Sequence, residues 1–443
     1  MILVKVKEAA ISFQDFMYRA PMKFRASIVD RVTLLNVSVR VESSGGRTAA
    51  GFGSMTLGNV WSFPSATLGY DQTLNAMKRL AMQFAVITES YDAAGDPIEL
   101  NHHLEPLYLE AARSMPVGNT PIPPLCTLVV ASAFDAAIHD AFGKLLGTNC
   151  YRTYGPDFLG HDLSRYLDAR FQGEYLNQYV TVEPRPCLHV YHLAGALDPL
   201  TAGDLTARID DGIPETLQEW VRADGVDHIK IKLDGNDLEW DIDRVLSVNA
   251  VLSELAEQKD WRYSLDFNER CQDAEYVIDC LARIRDGPPE AFARIEYVEQ
   301  PTHRNLDAPG TPDMHEAAKI KPVVIDESLV DYASLLRARE LGYSGVALKA
   351  CKGQTNALLM GAAAQKFGMF TCVQDLTCPG ASLLQSIGLA AHIPTITAVE
   401  SNARQYVPSA NAGWAAKFPG VFRPENGMFR TAGMTGPGLG IVE

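Results

Sequence analysis

Several things are missing from this chain of 443 residues, and each absence removes a class of function. No Lys/Arg-rich stretch relieves a formal charge of −15 at pH 7, which disfavours a nucleic-acid partner and requires any anionic ligand to be met by local positive charge. The eight cysteines, at 126, 150, 187, 271, 280, 351, 372 and 378, are scattered and include no Cys-x-x-Cys pair of metal or redox type. The N-terminus, Met1-Ile2-Leu3-Val4-Lys5, carries no basic region leading into a long apolar stretch, and with the cysteine pattern this predicts a reduced, cytoplasmic protein. No uninterrupted apolar run approaches about 18 residues, so no membrane span is expected. The glycines at 225, 235 and 353 form no G-x-G-x-x-G, which counts against an open nucleotide-binding sheet. There is no low-complexity segment.

What is present is a rhythm. With 47% hydrophobic residues the chain can bury a large core and has the length for two domains. Short β-rich runs at Cys187–Leu193, His228–Leu233, Arg262–Phe267, Arg294–Glu299, Pro322–Asp326, Val346–Lys349, Met369–Gln374 and Thr395–Glu400 predict eight strands. Segments of helical periodicity lie between them, including Trp240–Gln258, Asp273–Arg285, Tyr332–Leu341, Asn356–Phe367 and Ala381–Ala391. The polar residues at the strand ends, Lys232, Asp266, Glu299, Asp326, Lys349, Gln374 and Glu400, recur every 23 to 34 positions, the length of one strand plus one helix. Strands alternating with helices predict a parallel sheet, and eight such units predict a (β/α)8 barrel of the TIM type, whose active site is built at the C-terminal strand ends.

The flanking segments read differently. Strand-like Ile2–Phe13, Thr33–Glu42 and Thr48–Ser54 precede helix-like Gln72–Glu89, Leu100–Ser114 and Val129–Leu146, the order of an α+β domain. We therefore expect an N-terminal α+β capping domain over 1–160, a linker or insertion over 161–185, the barrel over 186–410, and a Gly- and Pro-rich C-terminal segment over 411–443 that returns to the first domain.

The chemistry follows from the strand ends. Residues two apart in a strand point to the same side, so Lys230 and Lys232 project together, as do Asp266 and Asn268. Three carboxylates on successive strands, Asp266, Glu299 and Asp326, would repel one another in a partly dry site unless a cation neutralised them. Donors that are oxygen only, with no His or Cys among them, suit Mg2+ better than zinc. Lys349 lies four strands on from Lys232 and so stands across the mouth from it. Neighbouring cations are expected to lower the pKa of such lysines towards neutrality and make a usable base. The bland reading takes any one of these carboxylates as a helix cap or an Arg partner, but all three at comparable positions on consecutive strands favour a site. Asn268, Lys352, Gln374 and Glu400 are candidate substrate contacts. So are Phe24 and Trp61, in the segments Phe16–Arg25 and Gly51–Trp61 expected to be capping loops. His192, at the end of the first barrel strand, is either a substrate contact or an ordinary hydrogen-bonded histidine.

The runs His228-Ile229-Lys230-Ile231-Lys232, Leu265-Asp266-Phe267-Asn268-Glu269, Tyr297-Val298-Glu299-Gln300-Pro301, Ile325-Asp326-Glu327-Ser328 and Ala347-Leu348-Lys349-Ala350-Cys351-Lys352 resemble, in order and spacing, the successive site motifs of the enolase superfamily in its muconate-lactonising branch. The run from Ala133 to Lys144 resembles the helix that closes that family's capping domain, and Gly436-Pro437-Gly438-Leu439-Gly440-Ile441 resembles its C-terminal motif. The likeness covers residues 125–443 well and the first 60 residues and 151–185 only loosely. It implies a cap made from both termini over a modified barrel holding one Mg2+. In that reading Asp266, Glu299 and Asp326 are the ligands, Lys232 and Lys349 the acid/base pair, and Lys230 a cation beside the substrate carboxylate.

By the same resemblance the expected reaction is Mg2+-dependent abstraction of an α-proton from a carboxylate through an ene-diolate, as a racemase, epimerase or cycloisomerase. The alternatives are an acid-sugar dehydratase on the same site, a Schiff-base lysine enzyme, or a non-catalytic metabolite binder. Two departures narrow the choice. Mandelate-racemase-type members carry a His at the seventh strand end, where this chain has Val373-Gln374-Asp375. Dipeptide epimerases commonly carry an Asp-x-Asp at the eighth, where it has Glu400-Ser401-Asn402. The expected partners are a small-molecule carboxylate and further copies of the chain as a homo-oligomer, with neither nucleic acid nor membrane.

Overall fold

Alternating apolar and polar residues build a long antiparallel hairpin from Val4–Phe24 (β1) and Ser27–Ser43 (β2), which Thr48–Thr56 (β3) extends to a three-stranded sheet. The structure, a computed structural model, describes residues 2–24, 27–255 and 259–441. The ladder runs from Val4 opposite Ser43 to Phe24 opposite Ser27, with an irregularity between Met17 and Met22. The sequence predicted a loop from Phe16 onward; instead the strand continues to Phe24, and Arg25 lies outside the described residues. The extension has a packing reason, because Phe16 and Tyr18 lie against a small apolar cluster of Val32, Ala403 and Val407 contributed in part by the second domain.

Four helices follow: Asn59–Ser62 (α1), Tyr70–Ser90 (α2), Pro97–Arg113 (α3) and Pro124–Leu146 (α4). Asp96 starts α3 by accepting from the backbone N–H of Ile98 and Glu99 at 2.9 and 3.0 Å, ahead of a proline at the first helical position. Helix α4 is long and apolar enough to cross a bilayer by length and composition, but it is packed on all sides within the fold. It lies so close to β3 that a Cβ at Gly53 would come within 2.0 Å of the Ala133 carbonyl and one at Gly51 within 2.1 Å of that of Ala137. Residues 147–186 then run through short turns against the outside of the barrel, where Tyr151 stacks on His392 at 3.7 Å.

The barrel begins with Cys187–Ala194 (β4) and Leu217–Asp224 (α5), the latter opened by a Thr216–Glu219 capping box and closed by left-handed Gly225. His228–Lys232 (β5), Leu238–Leu255 (α6), Arg262–Asp266 (β6), Ala274–Asp286 (α7), Pro289–Arg294 (α8) and Ile295–Glu299 (β7) come next. His315–Ala318 (α9), Val323–Ile325 (β8), Tyr332–Glu340 (α10), Gly345–Leu348 (β9), Gln354–Lys366 (α11), Phe370–Val373 (β10), Ala381–His392 (α12) and Ala398–Glu400 (β11) complete it. All eight strands are parallel, and β11 pairs back to β4 through Ala398–His189, Val399–Val190 and Glu400–Tyr191, which closes the cylinder. Tyr191, Tyr297, Val324, Ala347, Cys372 and Ala398 fill its interior, so it is a packed core and not a pore.

The C-terminal segment touches both bodies. Met428–Arg430 (β12) pairs antiparallel with the first residues of β4, and Leu439 donates its N–H to Asp140 of α4 at 3.0 Å. On the other flank of α4, Asp135 accepts from the Thr355 N–H at 2.9 Å, tying the cap to the start of α11.

Gly53→Ala is expected to force sheet and helix apart at the cap's tightest contact and cost about 1–3 kcal/mol. Urea unfolding reads this directly, and an unchanged midpoint would show that the helix gives way freely.

Candidate active site

Every barrel strand from β5 onward delivers a polar side chain to the same end of the cylinder. Lys232, Asp266, Glu299 and Glu400 are the last residues of β5, β6, β7 and β11, while Asp326, Lys349 and Gln374 come one residue after β8, β9 and β10. Period-two alternation puts Lys230 on the same inner side as Lys232 but deeper, where it is 1% exposed. Its Nζ donates to Glu299 Oε1 at 2.8 Å and Glu400 Oε2 at 3.0 Å and lies 3.1 Å from Asp266 Oδ2. One ammonium thus gathers three carboxylates.

The other lysines complete the lattice. Lys232 pairs with Asp266 and donates to Asn268 Oδ1 at 3.0 Å. Across the mouth Lys349 Nζ lies 2.8 Å from Asp326 Oδ2, and Lys352 Nζ lies 3.1 Å from Asp326 Oδ1. Gln374 donates Nε2 to Glu299 Oε2. The cap closes over both walls with one aromatic ring each. The Phe24 ring lies 5.7 Å from Lys232 Nζ and the Trp61 ring 4.7 Å from Lys349 Nζ, within reach of cation–π attraction. Lys230, Lys232, Lys349, Asp326, Glu400, Phe24 and Trp61 line one pocket together. Asp266, Glu299, Gln374, Asn268 and Lys352 join it through the hydrogen bonds and ion pairs just described.

Three residues that sequence reasoning did not assign complete the site. Glu327 accepts from the Trp61 indole N–H at 2.9 Å, and its second oxygen, Oε2, is buried with no donor. Asp375 is buried beside Glu400 and accepts from the backbone N–H of Thr377 at 3.2 Å. Arg304 forms a buried ion pair with Glu269 and donates Nη1 to the Trp61 carbonyl at 3.0 Å. Glu327 and Asp375 directly follow the predicted strand-end residues, where strict alternation would turn them outward. The strands have ended by then, and positive φ at Asn268 (51°), Glu269 (65°), Gln300 (29°) and Thr377 (50°) re-aims the chain around the mouth.

The electrostatics reflects more acidic groups than the lysines can keep ionised. Burial would raise Asp266, but Lys232 and Lys230 hold its carboxyl well below the usual range; burial likewise opposes, and Lys349 and Lys352 achieve, the lowering of Asp326. Glu299 goes the other way, raised by burial and by the charges of Asp266 and Asp326. Glu327 is raised by burial and by Glu269 and Asp326, and Asp375 by burial and Glu400. Six carboxyl groups, Asp266, Glu299, Asp326, Glu327, Asp375 and Glu400, share this space with four lysines, Lys230, Lys232, Lys349 and Lys352, a surplus of acidic groups that the raised carboxyls of Glu299, Glu327 and Asp375 reflect. An oxygen-only donor set with that surplus fits a hard divalent cation such as Mg2+, for which Asp266, Glu299 and Asp326 are the candidate ligands. Burial pulls Lys349 down, but the charge of the uncomplexed Asp326 carboxylate outweighs both this and the neighbouring Lys230, so its pKa is raised.

His192 does not reach the pocket. It faces the outside of β4, its ring 5.2 Å from that of Trp220, and lines a separate cavity with Arg19 and Asp198.

The sequence pattern of the family described as Enolase C-terminal domain-like matches residues 212–442. No protein of curated function matches the chain. Among solved structures, a dipeptide epimerase from Enterococcus faecalis V583, complexed with Mg and the dipeptide L-Leu-L-Tyr, superimposes with a TM-score of 0.65 at 16% identity, covering 99% of this chain and 100% of that one. A muconate lactonizing enzyme from Pseudomonas fluorescens, complexed with muconolactone, gives 0.62 at 18% identity over 99% and 96%. A dipeptide epimerase from Methylococcus capsulatus, complexed with Mg and L-Arg-D-Lys, gives 0.62 at 17% over 99% and 100%. At such identities these structures share the fold.

Burial, reinforced by Arg404, lowers the His192 pKa from 6.5 to about 3. The folded state therefore binds fewer protons at this ring than the unfolded chain does, and stability present above pH 6.5 is lost as pH falls through that window. Between pH 6.5 and 5 the loss from this ring is about 2 kcal/mol. Urea midpoints at the two pH values should drop less in His192→Leu than in the unsubstituted protein; equal drops would show that the ring does not titrate this way.

Proposed function

The chain belongs to the enolase superfamily, in its mandelate racemase/muconate lactonizing enzyme family, and on that premise we propose that it is a Mg2+-dependent racemase or epimerase acting at the α-carbon of a carboxylate substrate. The observation that carries the reading is the placement of Lys232 and Lys349. Their strands stand four apart in a closed ring of eight, so the two amines flank one buried pocket from opposite walls.

Asp266, Glu299 and Asp326 would hold the ion, which when bound stabilises the second negative charge that develops on the substrate carboxylate as the α-proton leaves. The chain's own groups do the rest. One of Lys232 and Lys349, as the free amine, takes the proton from one face, and the other, as the ammonium, gives one to the opposite face; the roles exchange for the opposite enantiomer. Lys230 fixes Glu299, Glu400 and Asp266 relative to one another. Phe24 and Trp61 shield each amine from bulk water. Asp326 is both the charge that raises the Lys349 pKa and a proposed ligand. A carboxylate so engaged would hold Lys349 less firmly as the ammonium, leaving it closer to the neutral form a base requires.

Two features favour racemisation or epimerisation of an amino-acid-derived acid over cycloisomerisation of a muconate. Buried acceptors without donors, Glu327 Oε2 and Asn402 Oδ1, belong to residues lining the pocket and suit a substrate that brings N–H groups. Two of the similar structures named above contain dipeptides with Mg. The far wall, with Met22, Val29, Val32 and Leu57, suits an apolar substituent.

In deuterated water with Mg2+, a panel of dipeptides, N-acyl amino acids, muconates and acid sugars should show α-deuterium incorporation into an N-bearing acid. Lys349→Ala should slow exchange from one enantiomer by about 10²-fold or more and spare the other; unimpaired exchange from both would remove Lys349 from the reaction. Asp266→Asn and Glu299→Gln should lower Mg2+ affinity and turnover together. Full turnover with unchanged metal affinity would rule out their role as ligands.

A further inference from the structure

The opposite end of the barrel carries a second cluster that the proposed reaction does not use. His189 lies near the start of β4, His228 is the first residue of β5, and Asp227 immediately precedes it. His228 shares the inner side of β5 with Lys230, and the Tyr191–His228 register places His189, two residues earlier, on the same face. Both imidazoles turn the same atom to the same partner: His189 Nδ1 lies 3.0 Å and His228 Nδ1 2.7 Å from Asp227 Oδ1. The three ligand atoms lie within 4.8 Å of one another, and the two rings stand 4.5 Å apart at 31°.

Those contacts are hydrogen bonds in this structure, and they lie close to a coordination geometry: two donors each about 2.0–2.1 Å from a common tetrahedral ion are about 3.3 Å apart, a few tenths of an ångström wider than seen here. Two imidazole nitrogens and one carboxylate oxygen form a borderline donor set, unlike the oxygen-only set at the other end of the barrel, and select Zn2+, Co2+ or Ni2+ over Mg2+. Access is open, because His228 is buried while His189 and Asp227 are partly exposed. The nearby charged groups balance: Glu296 adds to the attraction for a cation, while Lys259 opposes it with its Nζ engaged by the carbonyls of Gly225 and Val226.

We propose that His189 Nδ1, His228 Nδ1 and Asp227 Oδ1 bind a transition-metal dication of the Zn2+ class at the base of the barrel, separate from the carboxylate site at its mouth. The ion joins the first two staves of the cylinder below the point where their own pairing begins, since β4 pairs with β5 only from Tyr191 onward. Its role there is to fasten the base, the end of such barrels associated with stability.

The test uses the full chain in saturating Mg2+, so that hard-cation sites are occupied. Zn2+ binding is measured by equilibrium dialysis, Co2+ binding by visible absorption, and thermal unfolding with and without Zn2+. The expected result is one Zn2+ per chain, with affinity reduced at least tenfold in His189→Ala and Asp227→Asn and kept in Asp266→Asn, and a Zn2+-dependent rise in Tm that His189→Ala abolishes. The half-exposed position of His189 makes its variant the primary one. Equal affinity in His189→Ala, loss of the ion in Asp266→Asn alone, or absence of binding to the unsubstituted protein would each overturn the proposal. None of these outcomes depends on whether the proposed racemisation is found.

Discussion

Like charges brought together in a dry space set the terms for everything else in this molecule. Six carboxylates converge at one end of the barrel, and what lets them coexist is a ladder of ammonium groups threaded between them, with Lys230 at its centre touching three. Taking charges out of water is expensive, and each is tolerated only where a partner and hydrogen bonds replace the lost solvation. The barrel supplies that precision because its strand ends lie on a rigid ring fixed by the packed interior beneath them. A surplus of acidic groups over lysines remains, and it makes the mouth receptive to a cation.

The cap matters for a related reason. Electrostatic interactions strengthen as water is excluded, and the two aromatic rings brought over the lysines come from different cap elements, Phe24 from the hairpin and Trp61 from α1. Holding both in place demands that the cap sit in one position on the barrel. Asp135 and Asp140, five residues apart on α4, do this from the two flanks of one helix, the first reaching α11 and the second the C-terminal segment.

Much of this was legible in the sequence, and the parts that were not share a cause. The eight barrel strands fall within a few residues of their apolar runs, because a strand buried on both faces leaves a continuous signal bounded by polar residues. The residues at those boundaries were legible as a set because they repeat at the length of one strand and one helix. The hairpin from Phe16 to Phe24 was misread as a loop because what holds it extended is packing against Val32, Ala403 and Val407, a contact that no local pattern encodes. Glu327 and Asp375 escaped because they sit where alternation stops and positive φ begins nearby. The direction of the Lys349 pKa was not legible either, because its pairing with Asp326 is decided by distances of a few ångströms that spacing along the chain does not report.

Trp61 is fastened at both ends of its residue, its indole N–H to Glu327 and its carbonyl to Arg304. Glu327 is the next residue after Asp326, so the carboxylate that serves Lys349 and the one that grips the cap are separated by a single peptide unit. A small rotation of that unit moves both together. The cap and the strand end that bears Asp326 are therefore joined through one bond of the backbone, with the indole ring at the joint.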